Sequence, residues 1–362
     1  MPKTIRIAIV DESARARGFI AIALQEVSGL EVVASVPNAD QLSAAMAPDI
    51  IFVDVGTNGG LEALAKLSQS LPGAKVIALA GNSEAGIQAM VKAMQHGAAD
   101  CMIKILPTEH VEKSKIFVRD IKIKMNEFMD SVGLSTAAKG TEVSSSKTVA
   151  KEPEAKLVFQ PKPVMFLPKA LAIASSTGGP KSLVSVFEKL KGKKFSIPVF
   201  ITQHMPKDFT KHFAKQLEEA IGLPTAEGAD GTVVAPGHVY VAPGDYHMQV
   251  KKNAAGAVVI RLNQNPPENF CRPAADPMIR SLVEVYGGHG VLLAVLTGMG
   301  SDGQKAAEIL VKEGGLVIAQ DKSTSVVWGM PGAVATAGLT HKLYPLDDIH
   351  FGIIEHSSGR IA

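Results

Sequence analysis

The sequence predicts a two-unit α/β protein, a smaller (βα)5 unit followed by a larger doubly wound, mainly parallel unit. Three observations lead there. Short apolar, β-branched runs alternate with stretches of helical spacing over residues 5–129 and again from Leu167 onward, the pattern of parallel sheets. A polar, small-residue stretch from about Ser131 to Pro163 separates the two patterns and cannot bury enough apolar surface to order itself. The chain's 362 residues also exceed what one ordinary core holds. The expected boundaries are 1–130 for the first unit, 131–165 for a flexible linker and 166–362 for the second unit.

In the first unit, Ile5 to Val10 is a β-rich run ending at Asp11-Glu12, and Arg17 to Val27 has helical spacing. Glu31 to Val36 reads as a strand, and Ile50 to Val53 as another that ends at Asp54. Leu61 to Leu71 is helical, Lys75 to Leu79 a strand, and Ala85 to His96 a helix closed by Gly97. Cys101 to Ile103 is a short strand before Lys104, and Glu109 to about Met129 closes the unit as a helix. In an open parallel sheet the strand C-termini share one edge, and Asp11, Glu12, Asp54 and Lys104 all fall there. Such a cluster suits a divalent cation held through oxygens, with Asp54 able to accept a phosphoryl group. Taken singly, each acid reads more simply as a solvated residue or a helix cap; it is the four at matching strand ends that point to a site.

The second unit opens on Leu171-Ala172-Ile173-Ala174, a buried-strand run that stops at Ser175-Ser176. Thr177-Gly178-Gly179-Pro180 follows as a tight turn, and a helix begins with Leu183, Val186, Phe187 and Leu190 on one face. That geometry exposes a hydroxyl at a strand end beside helix N–H groups suited to an oxyanion or a phosphate. Ile197 to Thr202 is a strand running into Gln203-His204, and Phe209, Phe213 and Leu217 recur at helical spacing. Residues 231–245 read as two short extended pieces joined by Pro-Gly turns, and 248–262 as a hairpin turning at Asn253 to Gly256. Pro277 to Tyr286 is helical, and Gly290 to Leu296 is the most apolar strand. It runs into Thr297-Gly298-Met299-Gly300-Ser301-Asp302-Gly303, before a helix from Gln304 to Glu313, a strand from Leu316 to Gln320, and a closing helix from Val334 onward.

Ser176, His204 and Asp302 thus each follow a strand of one sheet. A serine hydroxyl needs a base to become a nucleophile; an imidazole serves near neutral pH, and a carboxylate fixes its tautomer. The order Ser, His, Asp differs from the Ser, Asp, His of α/β-hydrolases, and Gly-x-Ser-x-Gly is absent. Plainer readings stand beside this one. Ser176 can cap the next helix, His204 is one of ten histidines, and Asp302 can form its own turn. Spacing alone does not show that the three converge.

Composition narrows the classes. A net charge of +2 and 5% aromatic residues argue against a nucleic-acid surface. Two cysteines, Cys101 and Cys271, exclude a disulfide framework or a cysteine-rich zinc site. No apolar run reaches the roughly 18 residues of a membrane span, so direct membrane insertion is not expected. The apolar run near Met1 ends at Asp11, short of a signal peptide, and a cytoplasmic protein is the simplest expectation.

Residues 5–125 resemble the receiver domain of two-component response regulators, with Asp11-Glu12 as the acidic pair, Asp54 as the phospho-acceptor and Lys104 as the lysine. The resemblance implies a flavodoxin-like (βα)5 fold, Mg held by Asp11, Glu12 and Asp54, and a histidine kinase as partner. The chain departs from the pattern at three places. The hydroxyl residue at the end of the fourth strand falls near Ala80, the loop after Asp54 is short and lacks Met-Pro, and Ile105 replaces a proline.

Residues 170–335 resemble the catalytic domain of the chemotaxis-type protein-glutamate methylesterase family. The likeness rests on Ser-Thr-Gly-Gly at 176–179, Ile-Thr-Gln-His-Met-Pro at 201–206 and Leu-Thr-Gly-Met-Gly-Ser-Asp-Gly at 296–303. Ala-Pro-Gly-Asp at 242–245 and Val-Val-Trp-Gly-Met-Pro at 326–331 agree. It implies a nucleophile at Ser176, a base at His204, an orienting acid at Asp302, and substrate contacts from Thr177, Gly178, Gly179, Arg272 and Met299. Catalysis would need no cofactor. The substrate would be methylated glutamates, and receptor glutamines, on the cytoplasmic domain of methyl-accepting chemoreceptors, with the kinase of the chemotaxis pathway acting on the receiver. Where the family carries His-Arg-Pro, this chain has Cys271-Arg272-Pro273. The rival classes are a binding protein with an inactive effector, a nucleotide enzyme using Ser-Ser-Thr-Gly-Gly as a phosphate loop, and a cysteine hydrolase built on Cys271.

Overall fold

The computed structural model describes residues 4–107, 111–131 and 157–362. Most of the expected linker, 132–156, lies outside the described residues. The remainder, 157–165, runs along the second unit, where the Gln160 N–H donates to the Thr340 carbonyl at 2.8 Å and its side-chain amide to that of Gly338 at 2.5 Å.

The first unit comprises β1 (Ile5–Val10), α1 (Ala14–Gln25), β2 (Leu30–Val36), β3 (Ile50–Asp54), α2 (Gly60–Ser70), β4 (Lys75–Ala80), α3 (Glu84–Gln95), β5 (Asp100–Ile103) and α4 (Val111–Ser131). Its five strands are all parallel in the order β2-β1-β3-β4-β5. The central strand β3 is buried along its whole length, which is why Ile50-Ile51-Phe52-Val53 reads as an unbroken apolar run rather than an alternation. Ser13 and Ser83 cap α1 and α3 by accepting the Ala16 and Gly86 N–H groups.

The second unit comprises β6 (Ala170–Ser175), α5 (Gly179–Leu190), β7 (Val199–Gln203), α6 (Lys207–Ile221), β8 (Thr225–Glu227), β9 (Val239–Val241), β10 (His247–Lys252), β11 (Val258–Asn263), α7 (Ala275–Tyr286), β12 (Val291–Val295), α8 (Gln304–Lys312), β13 (Leu316–Gln320), α9 (Met330–Thr336), β14 (Lys342–Tyr344) and α10 (Ile349–His356). Seven strands form one parallel sheet in the order β14-β13-β12-β6-β7-β9-β8. Strands β10 and β11 form the expected antiparallel hairpin. Two expectations are revised. Of the two extended pieces expected over 231–245, only Val239–Val241 forms a strand, and the closing helix is split into α9 and α10 by β14 and Pro345.

The sheet order puts β6 between β12 and β7, so the ends of β6, β7 and β12 adjoin. Each has every residue buried, and apolar layers lie on both faces. One of those layers continues into the first unit through α3, which packs on α5 and α6 with Met94 among the buried side chains. The two units therefore share a core surface beside the strand ends.

Candidate active site

At the end of β6 the two adjacent serines have different surroundings. Ser175 is fully buried and its hydroxyl donates to Gln203 Oε1 at 2.7 Å; the same amide returns a hydrogen bond from Nε2 to the Ser176 carbonyl at 2.9 Å. Ser176 is 7% exposed, opens on the adjoining cavity, and its hydroxyl makes no hydrogen bond among the described residues. The helix cap is Gly178, not Ser176. Gly178 has φ +79°, and a Cβ there would lie 2.6 Å from the Val326 side chain. Gly298 likewise lets its loop press against the nucleophile turn, since a Cβ would lie 2.8 Å from the Ser176 nitrogen.

His204, one residue beyond β7, presents Nε2 to Asp302 Oδ2 at 2.7 Å. Asp302 is 1% exposed and is not merely a turn residue. Its two oxygens accept the Ala275 N–H at 2.6 Å, the Asp276 N–H at 3.1 Å and the Asn269 amide at 2.8 Å. The first two are free N–H groups of α7, whose N-cap, Ala274, has no capping side chain, so Asp302 acts as a cap from a distant loop. Burial alone favours the neutral acid, but the His204 hydrogen bond and charge with the two helix amides outweigh it and hold Asp302 below its ordinary value. Burial likewise opposes an imidazolium at His204. The adjacent Cys271 sulfur and the Asp302 hydrogen bond outweigh it and raise His204 well above its ordinary value.

In the neutral imidazole that catalysis needs, with Nε2–H given to Asp302, Nδ1 is the ring's acceptor. The group on it is not Ser176 but Cys271, whose sulfur lies 3.4 Å away. Spacing did not place Asn269, Cys271 or Asp276 here; the only sequence signal was the departure at Cys271. The structure thus joins His204 to Asp302 and sets Ser176 on the same cavity without a hydrogen bond.

The other expected site residues divide. Met299 is 4% exposed beside Gly298, and neither its N–H nor that of Thr177 is hydrogen-bonded among the described residues. The Ser176 N–H is already given to the Thr297 carbonyl at 3.1 Å. Arg272 binds within its own wall, its guanidinium donating to Asp245 Oδ1 and to the carbonyls of Gln264 and Asn265. A cavity of about 530 Å³ joins Ser176, His204, Cys271 and Arg272 to β5 and α4 of the first unit. There Asp100 Oδ2 accepts the Thr177 hydroxyl at 2.6 Å, the Ala99 carbonyl accepts the Gly178 N–H at 2.8 Å, and Lys124 pairs with Asp100.

In the first unit, Lys104 Nζ lies 2.7 Å from Asp11 Oδ2 and 2.6 Å from Asp54 Oδ2. Burial disfavours its charge, yet the hydrogen bonds it donates to both carboxylates raise it above the ordinary lysine value. Glu12 is exposed and stays out of this cluster, and no group of three or more His, Cys, Asp or Glu surrounds a common metal position among the described residues. Ala80 is fully buried at the end of β4, so no side-chain hydroxyl stands there.

A receiver-type unit packed on the strand ends of an α/β unit that carries serine, histidine and aspartate defines a response regulator with an enzymatic effector. Residues 171–353 match the CheB methylesterase family and residues 7–114 the response regulator receiver domain. The chain belongs to the CheB methylesterase family. It is 39% identical, over 96% of its length and 94% of the relative's, to protein-glutamate methylesterase/protein-glutamine glutaminase 1 of Paramagnetospirillum magneticum. It is 38% identical to the protein of the same name from Rhodospirillum rubrum, over 98% of this chain and 96% of that one. The solved CheB methylesterase catalytic domain of Thermotoga maritima, 40% identical, covers 52% of this chain and 98% of its own with a TM-score of 0.50. Among the described residues no helix is long and apolar enough to cross a membrane.

Proposed function

We propose that the protein is a serine hydrolase that removes methyl esters from glutamate side chains of chemoreceptor cytoplasmic domains and deamidates receptor glutamines. The His204–Asp302 contact at 2.7 Å, with an unpartnered Ser176 hydroxyl on the cavity that His204 also lines, carries this reading. In the first step Ser176 Oγ displaces the thiol from His204 Nδ1, gives it its proton and attacks the glutamyl carbonyl. The oxyanion is met by the Thr177 and Met299 N–H groups, which have no other partner among the described residues. His204 returns the proton to the leaving methoxide, and methanol departs. Water, activated by the same imidazole, then hydrolyses the acyl-enzyme to glutamate. An amide substrate changes only the leaving group, to ammonia. Arg272 shapes the cavity wall, and Gly178 and Gly179 form the turn into α5 that sets Ser176 at the strand end, rather than touch the reacting atoms.

The receiver regulates this site by covering it. Asp100 and Ala99 hold Thr177 and Gly178, the residues directly after the nucleophile, so a receptor helix reaches Ser176 only when β5 and α4 move away. Asp54 is the phospho-acceptor for the chemotaxis histidine kinase. Asp11 and Asp54 offer the hard oxygen donors that a Mg ion takes together with a phosphate. That ion would supply charge neutralisation at Asp54, and Glu12 would reach it only by turning inward. The protein works at the cytoplasmic face, where receptor helices end.

A fluorophosphonate probe tests the assignment. It should label Ser176 alone and fail on His204→Ala. Labelling of Ser175, or none in a folded protein freed of its receiver contact by Asp100→Ala, would count against it.

A further inference from the structure

Cys271 sits where the reaction needs an empty place. A neutral imidazole has one acceptor nitrogen; here Asp302 fixes that as Nδ1, and the Cys271 sulfur occupies it at 3.4 Å. Ser176, more than nine-tenths buried on the same cavity, is left without a partner. Cys271 itself is half-buried and opens on the cavity of about 530 Å³, wide enough for a small peroxide. The chain's other cysteine makes an internal contrast. Cys101 lies at the receiver end of the same cavity but is buried, donates to the Met90 carbonyl at 3.4 Å rather than to an imidazole, and burial pushes its thiol up.

We propose that Cys271 is an oxidative modification site, through which hydroperoxides reversibly silence the hydrolase by seizing the nitrogen that Ser176 needs. The proposal rests on the reading of His204 as the base for Ser176. The step balances with a hydroperoxide as oxidant. The thiol proton passes to His204 Nδ1, and the sulfur attacks one peroxide oxygen. An S–O bond forms as the O–O bond breaks, and the departing hydroxide takes the proton from the imidazolium and leaves as water. Sulfur loses two electrons and the peroxide gains them. The sulfenic acid keeps an O–H donor within reach of Nδ1 and is bulkier in the shared cavity, so the base stays engaged. Two equivalents of a small thiol restore the cysteine, first as a mixed disulfide with loss of water, then by exchange.

The test uses the full-length protein, hydrogen peroxide, and dimedone trapping read by peptide mass, with methanol release from methylated chemoreceptor membranes measured in parallel. Cys271 should be trapped about tenfold faster than Cys101 or more, as a thiol polarised by imidazole differs from one in an apolar core. Methanol release should fall in step with trapping and return with dithiothreitol. Cys271→Ala should hydrolyse at least as fast as the parent and resist the same dose of peroxide, with Cys271→Ser as a second variant if alanine disturbs the loop. Trapping at Cys271 without loss of activity would overturn the proposal, as would no trapping at doses that oxidise free cysteine, or equal inactivation of the alanine variant. Ser176→Ala separates the two readings. Its failure to stop methanol release would sink the serine hydrolase while leaving the thiol chemistry standing. Release that survives Ser176→Ala but vanishes in Cys271→Ala would make the thiol the nucleophile and overturn both.

Discussion

Two clusters of charge lie at the carboxyl ends of parallel strands in this molecule, and they are poised differently. In the receiver, Asp11, Asp54 and Lys104 satisfy one another, and Ala80 supplies no hydroxyl to rearrange toward them. In the effector, Asp302 is fully engaged and His204 is engaged on both nitrogens, but Ser176 is left unpartnered. A cluster whose groups all answer one another describes a resting state. A buried hydroxyl with no partner, on the same cavity as an imidazole, describes a site that awaits a substrate. The difference locates the chemistry in the second unit and the restraint in the first.

The sharpest way to break this contrast is Asp302→Asn. It keeps the shape, removes the carboxylate that fixes the His204 tautomer, and should lower methanol release by about 10³–10⁴-fold. An effect below tenfold would mean that His204 is oriented by something else. Next in size, Lys104→Met leaves two carboxylates buried without their cation, and should cost the receiver roughly 3–5 kcal/mol in a denaturant melt. A melt shifted by less than 1 kcal/mol, on the order of an exposed pair, would deny that the receiver cluster is mutually held.

Asp100→Ala removes the acceptor that ties Thr177 to the receiver, a charge-assisted bond on the order of 1.5–3 kcal/mol. Unphosphorylated protein should then release methanol about tenfold faster, with the phosphodonor response reduced. Unchanged basal release would show that Asp100 does not hold the cover closed. The smallest effect concerns pH. The base must be neutral, and His204 is raised above its ordinary value, so activity should climb with an apparent pKa above about 6.5. The sign for stability is opposite. What the charged His204 contributes is fully present below its unfolded value and is lost as pH rises through the folded one. Cys271→Ala, lacking the sulfur that helps to raise it, should move the activity limb toward acid. A limb that moves toward alkali would assign the shift elsewhere.

Much of this was legible in the sequence because the informative residues end apolar runs. Ile50 to Val53 announces Asp54, and Gly290 to Leu296 announces the loop that carries Asp302, since a strand buried on both faces leaves a continuous signal. The wall formed by Asn269, Phe270 and Cys271 has no such signal. It belongs to no helix or strand, Asn269 and Phe270 take positive φ values of 49° and 62°, and its contacts reach residues far along the chain. The long-range cap that Asp302 provides to α7 was hidden for the same reason. Ala274 offers no capping side chain, and nothing local says which distant acceptor replaces it. Glu12 shows the opposite failure. It is adjacent to Asp11 in sequence, but the register of β1 turns Asp11 toward Lys104 and leaves Glu12 exposed. The docking of Asp100 on Thr177 could not be read at all, because packing between units leaves no period in either.

The most direct test is methanol release from methylated chemoreceptor membranes by the intact protein and by Ser176→Ala. The account predicts release that the substitution abolishes, with ammonia release from receptor glutamines lost alongside it. Release that persists in a folded Ser176→Ala protein would contradict it, and would move the nucleophile away from the end of β6.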